Sequence, residues 1–325
     1  MTRLAIISED TVRQVVTRQI AFDSVQAAFE AVASDRASVF DVVIGAGLNS
    51  GEAFAIKSGN DSVGMTVGFK CGTYWAGNND RGLASHGSTI VLLDPDSGFP
   101  KVLLNASYLN GYRTAAANAV AVANLARSDA SVMGVIGAGQ QAEQEIRAVA
   151  EVRALSRIKI FTRSESRKSW IDEQLRDMDI DIKFTSPEEA VRGSDIVVTV
   201  TPSNIPLVRD EWVGEGTHIS AMGADDVGKH ELDTTLVKRA SLFADYPKQS
   251  LVIGEFQHAF GEGLIASADD ICAMGSVTTG DSPGRSSDSD ITVFDSSGIA
   301  IQDLMAAAAV YDAAKEMNQV QYIDF

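Results

Sequence analysis

The stretch SVMGVIGAGQQAEQEI, residues 131–146, decides how this chain is read. Residues 132–136 form a short apolar run of the kind that makes a buried strand, and Gly137, Gly139 and Ala142 follow it in GxGxxG/A spacing. Glycines belong in such a turn because the backbone bends tightly and must approach a pyrophosphate at the N-terminus of the next helix. That helix is predicted from Gln140 onward, with Ala142, Ile146, Val149 and Ala150 on one face, and a further strand follows at IKIFT, residues 158–162. Strand, turn, helix and strand in register predict a dinucleotide site at Gly137, Ala138, Gly139, Gln140, Gln141 and Ala142. The end of the second strand should choose the nucleotide, because a carboxylate there holds a ribose 2′-hydroxyl whereas an Arg accepts a 2′-phosphate. Thr162, Arg163 and Ser164 favour NADP; Glu165 lies within reach of the same ribose, so NAD stays open, and Arg163 also reads as a solvated loop charge.

Outward from this turn, the chain from RTAAANAVAVANLA (113–126) to about residue 290 keeps a rhythm of strand, turn and helix. Buried-type strands are expected at VMGVIG, IKIFT, DIVVTV, HISAMG and SLFAD. In TSPEEAV (185–191), Ser186 can cap a helix, Pro187 can open it, and Glu188 and Glu189 suit its positive end. Residues 1 to about 110 read differently, as an α+β unit. Helical patterns near 12–18 and 24–32 precede strand-like runs at AFAIK, GMTVGFK and STIVLLD, and DPDSGFPKVLL (94–104) reads as the turn and second arm of a hairpin. The tail from Ser296 is an Ala-rich helix after a Gly, followed by a short end segment.

Composition bounds the function. The 325 residues are 45% hydrophobic and 22% charged, with a formal net charge of −17 and no Lys/Arg-rich block, so a nucleic-acid partner has no electrostatic footprint. Cys71 and Cys272 lie far apart in mostly apolar surroundings and read as reduced thiols. MTRLAIISEDTVRQ has no signal-peptide pattern and no apolar run approaches a membrane span, so the expectation is a cytoplasmic protein with no membrane partner. His86, His218, His230 and His258 show no metal-ligand spacing, and no metal is expected.

Three residues outside the turn could carry chemistry. Lys70 alternates with Met65, Val67 and Phe69, which on pattern alone is a strand with a solvent face. Arg113 stands just before the Ala-rich helix, where an Arg fork beside a helix N-terminus makes a carboxylate clamp. Asp225 and Asp226 follow the strand HISAMG, at the edge where ligands lie in doubly wound sheets, and suit proton transfer, with helix capping before KHELDTTLVKRA the competing reading.

The set VGFK, YRTAAANAVAVANLA, GVIGAGQQA, DIVVTVT, AMGADDVGKHELD, Gly254–Glu255 and GRSSDSDITVFDSSGIAIQDL resembles the ornithine cyclodeaminase and mu-crystallin family, in family order from about residue 65 to residue 315. The resemblance implies an α/β protein with a Rossmann-type doubly wound sheet, residues 116–295, inserted into a discontinuous α+β substrate-binding and dimerisation domain, residues 1–115 and 296–325. It implies a homodimer, and NAD or NADP as the hydride carrier. By the same resemblance Lys70 meets the substrate carboxylate, Arg113 clamps it, Asp225 handles protons at the reacting carbon and nitrogen, and Thr201 at the end of DIVVTVT binds the cofactor.

One departure carries information. Many family members place an arginine in the first substrate-domain strand, and the matching ASVFDVVIGAG (37–47) has none. Should Lys57 or His86 point inward instead, the pocket gains a second cationic centre, which suits a dicarboxylic substrate better than ornithine. The leading expectation is an imino-acid reductase that uses NAD(P)H to turn a small 2-imino acid into an L-amino acid, first of all iminosuccinate into L-aspartate. Ornithine cyclodeamination, cyclic ketimine reduction and a non-catalytic NADPH-binding role are the alternatives.

Overall fold

The structure, a computed structural model, describes residues 3–325. Along the chain come β1 (Arg3–Ile7), α1 (Glu9–Val15), α2 (Arg18–Ala33), β2 (Ala37–Val39), β3 (Val43–Ala46), β4 (Glu52–Asp61), β5 (Thr66–Trp75), β6 (His86–Leu93), β7 (Pro100–Asn105) and α3 (Ser107–Leu125). The middle of the chain runs β8 (Val132–Ile136), α4 (Gln140–Val152), β9 (Arg157–Phe161), α5 (Glu165–Gln174), β10 (Asp181–Phe184), α6 (Pro187–Val191), β11 (Ile196–Thr199), β12 (Asn204–Val208), β13 (His218–Ala221) and β14 (His230–Leu232). Last come β15 (Ala240–Ala244), α7 (Pro247–Ile253), α8 (Gln257–Gly261), β16 (Cys272–Ala273), α9 (Met274–Thr278), β17 (Ile291–Asp295), α10 (Ala300–Glu316) and β18 (Gln321–Asp324). The chain divides into two units, one made of the residues up to Arg113 with Ile299–Phe325, the other of Thr114–Gly298.

The second unit is an all-parallel sheet in the order β10-β9-β8-β11-β13-β17-β15-β16. From β8 the chain winds outward through β9 and β10, then returns to the other side of β8 at β11. The turn after β8 therefore sits where the strand order reverses, the place at which doubly wound sheets bind ligands. The strands are apolar on both faces, as parallel strands covered by helices must be: Met133, Val135, Ile136, Ile158, Ile160, Val197 and Ile219 are all fully buried. Ser186 caps α6 in a reciprocal box with Glu189, with Pro187 opening the helix, as the sequence pattern predicts. Five strands of this unit escaped that pattern: β10, β12, β14, β16 and β17. β10 is only half-buried along its length, while β17 is buried at all five positions and lies between β13 and β15. KHELDTTLVKRA holds no α-helix; it forms β14 and a short 3-10 turn that Asp233 caps, so the capping alternative for Asp225 falls away.

The first unit is a mixed sheet in the order β18-β1-β7-β6-β5-β4-β2, with β3 added against β4. β6 and β7 form the expected hairpin. Its core joins the inward faces of β1, β6 and β7 to α1 and α10 through Ile7, Val12, Ile90, Leu104, Leu304 and Val310. Each such side chain contributes about 1.5–3 kcal/mol on burial, so Leu304→Ala costs about 2–5 kcal/mol. Because α10 comes from the far end of the chain, this unit closes only when both termini are in place.

Candidate active site

The substrate-side residues meet in the first unit. On β5 the residues Thr66, Gly68 and Lys70 share one face, which α10 covers, so Lys70 is 7% exposed and the solvent face that simple alternation suggested for it is a buried one. Arg113 is also 7% exposed, and its position corrects the sequence reading. It lies well inside α3, which begins at Ser107 rather than beyond Arg113, so the N-terminus of α3 does not stand beside its guanidinium. Leu109, buried in the core of this unit, carries the helix through Asn110 and Gly111; tertiary packing outweighs the roughly 1 kcal/mol that a mid-helix glycine costs.

Asp303 takes the place of that helix end. It lies in the first turn of α10, 1% exposed, with Oδ2 2.8 Å from Lys70 Nζ and Oδ1 2.8 Å from Arg113 Nε. Asn110 joins the pair from the α3 side, its Oδ1 accepting from Lys70 Nζ at 3.1 Å and from Arg113 Nη2 at 2.9 Å. Gln302, fully buried, accepts more weakly from Arg113 Nη1 at 3.4 Å. Burial would raise the Asp303 carboxyl, but Arg113 and Lys70 beside it prevail and hold it below the ordinary range. Burial, reinforced by Arg113, drives the Lys70 ammonium from 10.5 down to about 7 against the pull of Asp303.

Lys57 belongs to the same cluster. It stands directly opposite Lys70 in the β4–β5 register, which puts the two side chains on one face, and its charge lowers both Lys70 and Asp303. Three cationic side chains thus face one carboxylate. His86 is elsewhere on this face: it stands opposite Tyr74, with ring centroids 4.8 Å apart, while Ile90 stands opposite Lys70. Four residues along the strand, about 13 Å of backbone, separate the two positions, so His86 stands apart from Lys57, Lys70 and Arg113.

The nucleotide-side residues lie in the second unit. Gly137 has φ +127°, and a Cβ there would come 2.7 Å from the Val200 carbonyl oxygen, so only glycine fits the turn. Gly139 precedes α4 with no side chain capping the helix, and a Cβ there would meet open space. Gly139, as the N-cap of α4, offers no side chain to the first N–H groups of the helix, which suits a phosphate-binding helix start. Ala142, Ile146 and Val149 seat the helix fully buried, so the turn is held rigidly; of the expected face only Ala150 is half-buried. These residues fit a dinucleotide pyrophosphate.

At the end of β9, Ser164 caps α5 by accepting from the Arg167 N–H, Thr162 accepts from the Ser164 N–H, and Arg163 is exposed. Glu165 opens α5 and faces along the helix toward Lys168 at 3.8 Å. Asp225 lies in the loop after β13, half-exposed and ion-paired with Lys229. Thr201 lies two residues beyond β11, its N–H and hydroxyl both bound by Glu231. Sequence reasoning missed Asp303, Asn110, Gln302 and Glu231. A charged residue in the most apolar stretch of the Ala-rich tail was the available signal for Asp303, since a lone carboxylate there needs a buried cation.

The chain is similar over its length to several known proteins. An iminosuccinate reductase of Paracoccus denitrificans is 35% identical over 321 residues, 99% of this chain and 100% of that protein. Its crystal structure in complex with NAD+ superposes with a TM-score of 0.95 over 99% of this chain and 100% of its own. An archaeal alanine dehydrogenase dimer with bound NAD gives 0.93 at 34% identity over the full length of both chains. The alanine dehydrogenase of Archaeoglobus fulgidus is 39% identical over 250 residues, 77% of each chain. The family model of the ornithine cyclodeaminases and mu-crystallins matches residues 13–318, and the chain belongs to the ornithine cyclodeaminase/mu-crystallin family.

Proposed function

We propose that this protein is an NAD(P)H-dependent reductase of a small 2-imino dicarboxylate, iminosuccinate above all, and that its product is L-aspartate. The observation that carries the reading is the placement of a second cation beside the clamp: Lys57 stands directly opposite Lys70, one strand over from the buried Lys70, Arg113 and Asp303. A dicarboxylate supplies two negative charges. Ornithine would bring an ammonium toward Lys57, which costs Coulomb energy where its own enzymes need attraction.

Lys70 and Arg113 hold the α-carboxylate, and Lys57, one strand over, takes the distal one. Asp303 fixes both clamp residues in one geometry before substrate arrives, so little side-chain entropy is lost on binding. Binding a dianion also returns the proton to Lys70, because a second carboxylate beside it outweighs the cationic neighbours. The reduced nicotinamide, once bound, supplies the hydride that the imine carbon takes up. Asp225 delivers the proton that the imine nitrogen takes up as hydride adds to its carbon, so that it becomes the amine of the product, and Lys229 holds the Asp225 carboxylate in place.

Gly137, Gly139 and the start of α4 hold the pyrophosphate, Arg163 and Ser164 meet the adenosine ribose, and Thr201 lines the nicotinamide half. A homodimer is proposed through the apolar residues exposed around β3, namely Phe40, Val43, Ile44 and Leu48, in keeping with the dimeric archaeal relative. Among the described residues no helix is long and apolar enough to cross a membrane, and the two free cysteines suit a reducing, cytoplasmic setting. Asp225→Asn tests the enzyme reading: turnover with oxaloacetate, ammonia and NADH should vanish while NADH binding persists. Unchanged turnover would remove Asp225 from the role of acid, and no turnover in the wild type would leave a nucleotide-binding protein.

A further inference from the structure

β14 carries a carboxylate that the proposed chemistry does not use. Glu231 is fully buried, and each of its oxygens accepts two hydrogen bonds. Oε1 accepts from the Thr201 N–H at 2.7 Å and from its hydroxyl at 2.7 Å. Oε2 accepts from the Thr199 hydroxyl at 2.8 Å and from the Gly223 N–H at 3.0 Å. Burial raises this carboxyl to about 7 even against the four donors, which favour the charged form. The strand that bears it is held in turn by Glu255, which accepts from the N–H groups of Glu231 at 2.9 Å and Leu232 at 2.7 Å.

The four donors are not scattered through the core. Thr199 and Thr201 lie at the carboxyl end of β11, and Gly223 lies just past the carboxyl end of β13, two residues before Asp225. The Val200 carbonyl between the threonines is the atom against which Gly137 is packed. A Cβ on Gly223 would meet the Thr201 carbonyl at 2.4 Å and Glu231 Oε2 at 2.5 Å, so the three parts are already at contact. A buried carboxylate is expensive, and an apolar side chain here would leave two backbone N–H groups unpaired at the ligand-binding edge of the sheet.

We propose that Glu231 is a positioning residue that sets the nucleotide-binding edge of β11 and the Asp225 loop after β13, acting through Thr201 and Gly223 without touching nucleotide or substrate. This rests on the reading of the second unit as the NAD(P)H-binding unit. The role needs a carboxylate, because all four partners donate and an amide would turn one acceptor into a donor.

The test uses nucleotide-free protein and the variants Glu231→Gln, Thr199→Val and Gly223→Ala. Amide hydrogen exchange at residues 201 and 223 is followed with no ligand present, and NADH and succinate dissociation constants are measured by titration. Glu231→Gln should speed exchange at both amides at least tenfold and weaken NADH about tenfold, the loss of one charge-assisted hydrogen bond, with succinate affinity unchanged. Thr199→Val, whose hydroxyl is fully buried, should move the same two readouts about threefold, and Gly223→Ala should act at least as strongly as Glu231→Gln. Should Glu231→Gln fail to fold, the other two decide. Wild-type exchange and NADH affinity in folded variants, with only a lowered Tm, would overturn the proposal. A wild-type protein that binds no NADH would instead overturn the functional reading beneath it, and the exchange data would tell the two failures apart.

Discussion

Replacing Lys57 by methionine should separate dicarboxylates from monocarboxylates. The substitution keeps an unbranched side chain one atom shorter and removes its charge, and Lys57 is only half-buried, so its contact with a distal carboxylate lies between an exposed ion pair, about 0.2–1 kcal/mol, and a buried charge-assisted hydrogen bond, about 1.5–3 kcal/mol. A loss of about 1.5–2 kcal/mol raises KM for iminosuccinate about 10–30-fold. The same change has an opposite effect at Lys70. Lys57 is one of the charges that lower the Lys70 ammonium to about 7, so its removal raises that value and protonates more of the clamp at pH 8. A monocarboxylic imine should therefore bind the variant no worse, and slightly better at pH 8 than at pH 7 relative to wild type. Steady-state NADH oxidation with ammonia and either oxaloacetate or pyruvate, at both pH values, reads both effects. An equal loss for the two substrates, or no loss for either, would refute the assignment of Lys57 to the distal carboxylate.

Three further outcomes follow from the same geometry. Asp303→Asn leaves Lys70 and Arg113 buried without a counter-charge, costs about 3–5 kcal/mol and should lower Tm of the ligand-free protein, with saturating succinate restoring more of it than in wild type; calorimetry with and without succinate checks this. Lys70 must be protonated to hold a carboxylate, so the succinate dissociation constant should rise about tenfold per pH unit above about 7, and Lys70→Arg should flatten that dependence; the ligand-free protein shows the linked effect, because the unfolded chain keeps the lysine proton up to 10.5 and stability therefore rises with pH between about 7 and 10.5. Arg163→Asp puts a carboxylate at the end of β9, and the ratio of NADH to NADPH kcat/KM should rise at least tenfold, whereas an unchanged ratio would mean that the ribose lies elsewhere.

The nucleotide turn was legible because its requirements are local: a strand, glycines where no Cβ fits and an amphipathic helix all lie within about twenty residues of sequence. The strands of the second unit were legible for the same reason, since a parallel strand is apolar on both faces and stands out as a run. β10 was lost because its alternating polar residues match no buried run, and β17 because it follows a serine- and aspartate-rich loop that reads as the end of the domain. The substrate cluster was legible only through the resemblance. Lys70, on pattern alone, faced water; what buries it is a helix more than two hundred residues away in sequence, and Asp303 acquires meaning only when that helix is laid over β5. Lys57 could be suspected from its oddness, but its place opposite Lys70 needed the strand register. Glu231 gave no local sign, because its four donors come from two other strands.

The central claim is that hydride reaches the Cα of an imino dicarboxylate, and isotope transfer reads that step directly. The protein is incubated with oxaloacetate, ammonia and NADH carrying deuterium at both positions of the nicotinamide C4, and the amino acid formed is examined by mass spectrometry and proton NMR. L-aspartate carrying one deuterium at Cα is the expected result. Unlabelled aspartate, or no amino acid from oxaloacetate together with proline and ammonia released from ornithine, would contradict the account.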